Sequence, residues 1–163
     1  GIPALVLMEN AGRAIAGEVI RLASAEPQRR RRGGGEAPRW IVLVGKGNNG
    51  GDGIVCARHL AEHGFEVLLL YAGQPDGWTG EAGIQRDIAR RLGLPSAVYG
   101  KDGPVDWDRW DGIVDALLGT GASGAPREPY ASLIREAVAS GLPIVAADLP
   151  SGLNADTGEA ADP

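Results

Sequence analysis

The chain has 163 residues, 44% of them hydrophobic and 23% charged, with a formal net charge of −5. That length suits one domain with a sizeable core, the balance of residue types excludes a disordered or collagen-like chain, and the acidity disfavours a nucleic-acid footprint. One cysteine, Cys56, excludes an internal disulfide and points to a reducing, cytoplasmic setting. Apolar runs such as Val67 to Tyr71 fall far short of the roughly 20 residues that a spanning helix needs, so no membrane partner is read.

Leu5, Met8, Ile15, Val19 and Leu22 recur nearer to a period of 3.6 than of 2, which predicts an N-terminal helix over residues 2–23, broken near Gly12. Residues 24–38 contain four arginines, Arg29 to Arg32, among glycine and proline, and read as a flexible, solvated loop. Beyond it, short β-branched runs alternate with helical patterns. Strands are predicted at 40–44, 66–71, 97–99, 112–115 and 143–147, and helices at 51–63, 80–92 and 130–140. Runs that are apolar throughout, such as Ile41-Val42-Leu43-Val44, suit a sheet covered on both faces, and helix-length connections suit parallel neighbours. The fold class is therefore α/β, a three-layer α/β/α sandwich with a Rossmann-like, mostly parallel sheet, and residues 1–163 form a single domain without internal repeats.

Glycine is the outlier, 26 residues against a usual share of about 7%, and it is clustered. The densest cluster, Gly45-Lys46-Gly47-Asn48-Asn49-Gly50-Gly51-Asp52-Gly53, follows the first strand and opens a helix. Its glycines are expected to let backbone N–H groups approach a phosphate, with Asp52 capping the helix. A dinucleotide dehydrogenase would place an acidic residue at the end of the second strand. Here that strand ends Leu70-Tyr71-Ala72-Gly73, the first acid is Asp76, and that fingerprint is incomplete. Two further polar loops follow predicted strands, Asp115 to Arg127 and Asp148 to Asn154. If those strands are neighbours, Asn49, Asp115, Asp148 and Ser151 converge on one crevice. Cys56, His59 and His63 share a helix face but lack a further zinc ligand nearby, and no Gly-x-Ser-x-Gly elbow is present. Trp78, Trp107 and Trp110 read as packing residues, without the basic neighbours of a base-stacking platform.

Four segments carry a resemblance: Met8-Glu9-Asn10-Ala11-Gly12, Gly47 to Gly53, Asp115-Ala116-Leu117-Leu118-Gly119-Thr120-Gly121, and Asp148-Leu149-Pro150-Ser151-Gly152-Leu153-Asn154. In their order and spacing they resemble the NAD(P)H-hydrate epimerases, the YjeF N-terminal domain family. The resemblance implies an isomerase of metabolite repair that interconverts the R and S epimers of hydrated NADH and NADPH (NADHX and NADPHX) at C6 of the nicotinamide ring. It implies that Asn48, Asn49, Gly50, Gly51 and Asp52 hold the dinucleotide together with Gly119, Thr120, Gly121, Ala122, Ser123, Gly124 and Ala125. Tyr130 and Asp148 would contact it, and Asn49, Asp115 and Ser151 would hold one potassium ion per subunit. Amide, carboxylate and hydroxyl oxygens are hard donors, which agrees with an alkali cation. Asp148 is then the candidate acid and base for loss and return of water. Some relatives place a basic residue where Ser123 stands, which leaves Arg127 as the nearest positive candidate. The resemblance further implies a homodimer, with the helix carrying Met8 to Leu22 as one candidate contact, and an ADP/ATP-dependent NAD(P)HX dehydratase, fused or separate. Relatives extend past both ends of this chain, so it is expected to be truncated at each. The alternative is a non-catalytic dinucleotide-binding module of the same fold.

Overall fold

In the computed structural model, residues 1–25, 37–121, 124–153 and 157–158 are described. Among them the apolar runs form five parallel strands, β1 (Arg39–Val44), β2 (Glu66–Tyr71), β3 (Ser96–Val98), β4 (Gly112–Ala116) and β5 (Ile144–Ala146), in the spatial order β3-β2-β1-β4-β5. The pleat sends successive side chains to opposite faces. Trp40, Val42 and Val44 of β1 therefore join one core with Val67, Leu69 and Tyr71 of β2, while Ile41 and Leu43 join the other with Leu70 and Ile113. Helices α1 (Ala4–Ala25), α2 (Asn48–Glu62) and α3 (Gly80–Arg91) cover the first face, and α4 (Tyr130–Ala139) covers the second through Leu133, Ile134 and Ala137. This is the expected three-layer, Rossmann-like α/β/α arrangement. No helix among the described residues is long and apolar enough to cross a membrane.

Helix α1 runs unbroken through Gly12, contrary to the predicted break. A Cβ on Gly12 would lie 2.4 Å from Val55 Cβ and 2.7 Å from the Asp52 carbonyl oxygen. Gly12 is thus the point where two helices cross closely, and a missing side chain is what that crossing requires. Glu9, one turn earlier, pairs with Arg58 and lies 2.8 Å from His59 Nε2, which fastens α1 to α2 a second time. Burial opposes ionisation of Glu9, yet these two partners hold its carboxyl below the ordinary range. Ser24 and Ala25, assigned above to the 24–38 loop, complete the last turn of α1, while residues 26–36 of that loop lie outside the described residues.

Candidate active site

The winding reverses between β1 and β4, because β1 leads into α2 on one face of the sheet and β4 leads towards α4 on the other. Parallel sheets open a ligand crevice at the carboxyl edge of such a reversal. A pocket of about 450 Å³ lies there. Lys46, Asn48, Asn49 and Asp52 line it from the β1 side, Leu117 to Gly121 from the loop after β4, and Asp148 from the loop after β5.

Helix α2 begins at Asn48, three residues earlier than the predicted start, so Asn48 to Asp52 form helix rather than an open loop. Gly47 makes this possible with φ +126°, a conformation that favours glycine, and its carbonyl accepts the Gly51 N–H at 3.1 Å. Asp52 therefore stands in the second turn and is not the helix cap; Gly47 occupies that position. The neighbouring glycines serve packing. A Cβ on Gly50 would lie 1.9 Å from the Gly45 carbonyl oxygen, one on Gly51 2.5 Å from Met8 Cε, and one on Gly53 2.5 Å from Ala116 Cβ. This packing sets the start of α2 at the crevice, where Gly47, Asn48 and Asn49 line the pocket, and the N–H groups of a helix's first turn have no intrahelical acceptor.

Asp115, the last residue but one of β4, is 8% exposed, and its carboxylate ties two loops together. Oδ2 accepts the Ser151 N–H at 2.8 Å, and Oδ1 accepts the Ser151 hydroxyl at 2.7 Å and the Leu117 N–H at 3.2 Å. Burial pushes Asp115 above the ordinary carboxylate range, against the pull of these hydrogen bonds. The Ser151 hydroxyl in turn accepts the Leu118 N–H at 3.0 Å, and Asn49 Nδ2 donates to the Leu118 carbonyl at 3.0 Å. The other end of that amide, Asn49 Oδ1, is buried without a hydrogen-bond partner among the described residues. Asn49, Asp115 and Ser151, separate in sequence, thus meet around Leu118.

Asp148 reaches over the same loop, where Oδ2 accepts the Thr120 N–H at 3.0 Å. Gly119 leaves it room, since a Cβ there would stand 3.1 Å from Asp148 Oδ2 and 3.4 Å from Asn49 Cβ. Burial, and then the charge of Asp148, push Asp52 up to about 6. An acid with a folded pKa above its unfolded value of 3.8 stabilises the fold only while protonated, so stability is lost as pH rises from about 4 through 6. In potassium-free buffer, Asp52→Asn should therefore raise unfolding stability above pH 6 by about 1 kcal/mol, a figure discounted because the group is half-exposed, with the gap closing below pH 4. Urea titrations at pH 4 and 7.5 measure it.

Tyr130 opens α4 and reaches across to the loop after β1, its hydroxyl accepting the Lys46 N–H at 3.0 Å. Gly124 and Ala125 are exposed and do not line the pocket, whereas Ala122 and Ser123 lie outside the described residues. The positive residue lining the pocket is Lys46, while Arg127, nominated from the sequence, is exposed and does not line it. A basic residue inside the first glycine cluster was the available signal for Lys46. Asp76 pairs with Arg90 at 2.7 Å, which commits the first acid after β2 to α3. Cys56 is buried in the core, and that burial pushes its thiol up to about 12, unsuited to nucleophilic work. Trp78 packs edge-on against Tyr71, their ring centroids 5.6 Å apart.

Fold and crevice define an open-sheet α/β protein with a candidate ligand site at the sheet's winding reversal, lined by the Asn49 amide and the Asp52 and Asp148 carboxyl groups. Residues 4–163 match the family model described as YjeF-related protein N-terminus. The chain belongs to that family. It is 40% identical to an NAD(P)H-hydrate epimerase of Rhodopirellula baltica, over 97% of this chain and 60% of that protein. It is 41% identical to a bifunctional NAD(P)H-hydrate repair enzyme of Pyrobaculum aerophilum, over 99% of this chain and 31% of that protein. The crystal structure of yeast ynu0 superposes with a TM-score of 0.83 at 29% identity, covering 100% of this chain and 68% of the yeast chain. The chain thus spans about 60% of the length of one curated relative and about a third of another.

Proposed function

We propose that this chain is an isomerase, an NAD(P)H-hydrate epimerase that interconverts the R and S forms of hydrated NADH and NADPH. The observation that carries this reading is the crevice at the β1/β4 reversal, which Asn49, Asp52 and Asp148 line while Asp115 and Ser151 brace its Leu117–Leu118 wall, in a chain 40% identical to a protein of that name. At C6 of the hydrate, a hydroxyl sits beside the ring nitrogen. Protonation of that hydroxyl lets the nitrogen lone pair expel water, and water returning to the other face gives the opposite epimer. Asp148, fixed by the Thr120 N–H at the pocket wall, is the acid and base assigned to this exchange. The amide N–H groups opening α2 and the ammonium of Lys46 suit the pyrophosphate of the dinucleotide. Tyr130, hydrogen-bonded to the Lys46 backbone, holds the loop that presents them. Among the relatives, bifunctional repair enzymes are much longer than this chain, which supports a second repair activity, a dehydratase, as its partner.

A potassium ion fits the residues present. Asn49 Oδ1 is a buried carbonyl oxygen with no hydrogen-bond partner among the described residues, beside a network containing the Asp115 carboxylate, the Ser151 hydroxyl and the Leu118 carbonyl. Such oxygens suit an alkali cation, and burial of Asp115 with no cationic side-chain partner among the described residues calls for positive charge nearby. Asn49, Asp115 and Ser151 would hold the ion, which would supply fixed positive charge where three loops meet. Potassium is expected to raise Tm above that in a tetramethylammonium salt of equal ionic strength, and Asn49→Ala to abolish the difference. Mixed NADHX epimers incubated with the protein, with and without potassium, test the activity. Approach of the R:S ratio to equilibrium faster than without protein supports the epimerase, whereas binding without turnover would support a dinucleotide-binding module instead.

A further inference from the structure

The pocket holds a second carboxyl group besides Asp148. Asp52 enters from the β1 side, on α2, and Asp148 enters from the β5 side, with the loop of the intervening strand β4 between them. The two groups are held differently. Asp148 is anchored by the Thr120 N–H, while the Asp52 carboxyl makes no hydrogen bond among the described residues although its backbone is clamped. That clamp is the crossing of α1 at Gly12, which brings the Asp52 carbonyl oxygen within 2.7 Å of where a Gly12 Cβ would stand. A fixed backbone carrying a carboxyl with no protein partner leaves that carboxyl available to a ligand.

Resting on the epimerase reading above, we propose that Asp52 is the second acid–base group of the site, handling the proton on one face of C6 while Asp148 handles it on the other. Inversion needs a proton delivered at the face where water leaves and another removed at the face where water returns. On the first face, a protonated carboxyl gives its proton to the C6 hydroxyl as the C6–O bond breaks. The bonding pair leaves with oxygen as water, and the nitrogen lone pair forms a C=N bond. On the opposite face, water forms the new C6–O bond, the C=N pair returns to nitrogen, and the second carboxylate takes the proton that water sheds. The protein ends with its proton on the other carboxyl, ready for the reverse reaction. Burial, with the charge of Asp148 adding to it, pushes the Asp52 carboxyl up to about 6, which lets it carry a proton closer to neutrality than an ordinary aspartate. The other charged group lining this pocket is Lys46, and from α1 Glu9 is engaged with Arg58 and His59.

The test uses ¹⁸O-labelled water, with Asp52→Asn and Asp148→Asn variants whose folding is checked by thermal unfolding. Both the R:S ratio and the label in each epimer are followed. Asp52→Asn should slow inversion by at least about 10²-fold, yet one epimer should still exchange its oxygen with retention, because Asp148 alone can give and retake a proton on its own face. Asp148→Asn should leave exchange in the other epimer. Inversion by Asp52→Asn at the wild-type rate overturns the proposal. Loss of exchange from both epimers in Asp52→Asn, with KM raised, makes Asp52 a binding residue and also overturns it. Wild-type protein that neither inverts nor exchanges sinks the epimerase reading itself, an outcome distinct from an active wild type with an indifferent Asp52.

Discussion

Replacing Asp148 with asparagine is expected to slow epimerisation by about 10²–10⁴-fold while leaving the fold intact, the range typical of losing a positioned acid–base group. The isosteric amide can keep a carbonyl oxygen at Oδ1 or Oδ2, so the acceptor for the Thr120 N–H survives and the loop after β4 keeps its anchor. What the amide cannot do is carry a proton back and forth to a hydroxyl. The effect should therefore fall on kcat with KM little changed, as for an interaction made chiefly in the transition state. Steady-state rates from R-enriched NADHX, with thermal unfolding as the check on folding, measure it. A rate near wild type would remove Asp148 from the chemistry and leave it only the role of fixing Thr120.

The largest structural effect is expected from Gly50→Ala. Ordinarily alanine in a helix gains about 1 kcal/mol over glycine. At this position the new methyl would stand 1.9 Å from the Gly45 carbonyl oxygen and 2.9 Å from its carbonyl carbon, and both are backbone atoms that no rotamer change can move. Gly45 is itself trapped, since a Cβ on it would lie 1.8 Å from the Leu117 carbonyl oxygen. The backbones of α2, the β1 loop and the β4 loop are stacked with no space between them. Overpacking there should cost about 3 kcal/mol or more, because relief requires the three segments to part. The same displacement would separate Asn49 from Leu118, so dinucleotide affinity should fall with stability. Gly73→Ala is the control: that glycine is exposed, and a Cβ there meets nothing within 4 Å. Its urea midpoint should match wild type, whereas that of Gly50→Ala should drop sharply.

Gly50 also shows why parts of the fold were not legible from local pattern. Asn48, Asn49, Gly50 and Gly51 are all weak helix formers, so propensity gives no reason to start the helix before them; tertiary packing of Gly50 on Gly45 and of Gly51 on Met8 accompanies a helix that begins at Asn48. Gly12 reads as a helix breaker for the same reason, although it marks a helix crossing. The strands fared better. Ile41 to Val44 are apolar on both faces because both faces are covered, and that burial requirement is written directly into residue type. β3 and β5, at three residues each, are edge strands, and each of their predicted limits differs from the observed one by one residue.

For the candidate site the sequence by itself determined which residues have the right chemistry: Asn49, Asp115, Asp148 and Ser151, each in a polar loop at the carboxyl end of a predicted strand. Strand order β3-β2-β1-β4-β5, which only the folded chain decides, made those loops neighbours. Tertiary structure alone also decided that the Asn49 amide N–H donates to Leu118, 69 residues away, and that its oxygen is buried with no hydrogen-bond partner among the described residues. It likewise put Lys46 at the pocket in place of Arg127, and turned Asp52 from an expected helix cap into a second carboxyl beside Asp148. The physical reason is the range of the interactions concerned. Propensity and periodicity act between residues a few positions apart and can be read along the chain. Steric exclusion, desolvation and charge proximity depend on distances through space, and those exist only once the sheet has brought its loops together.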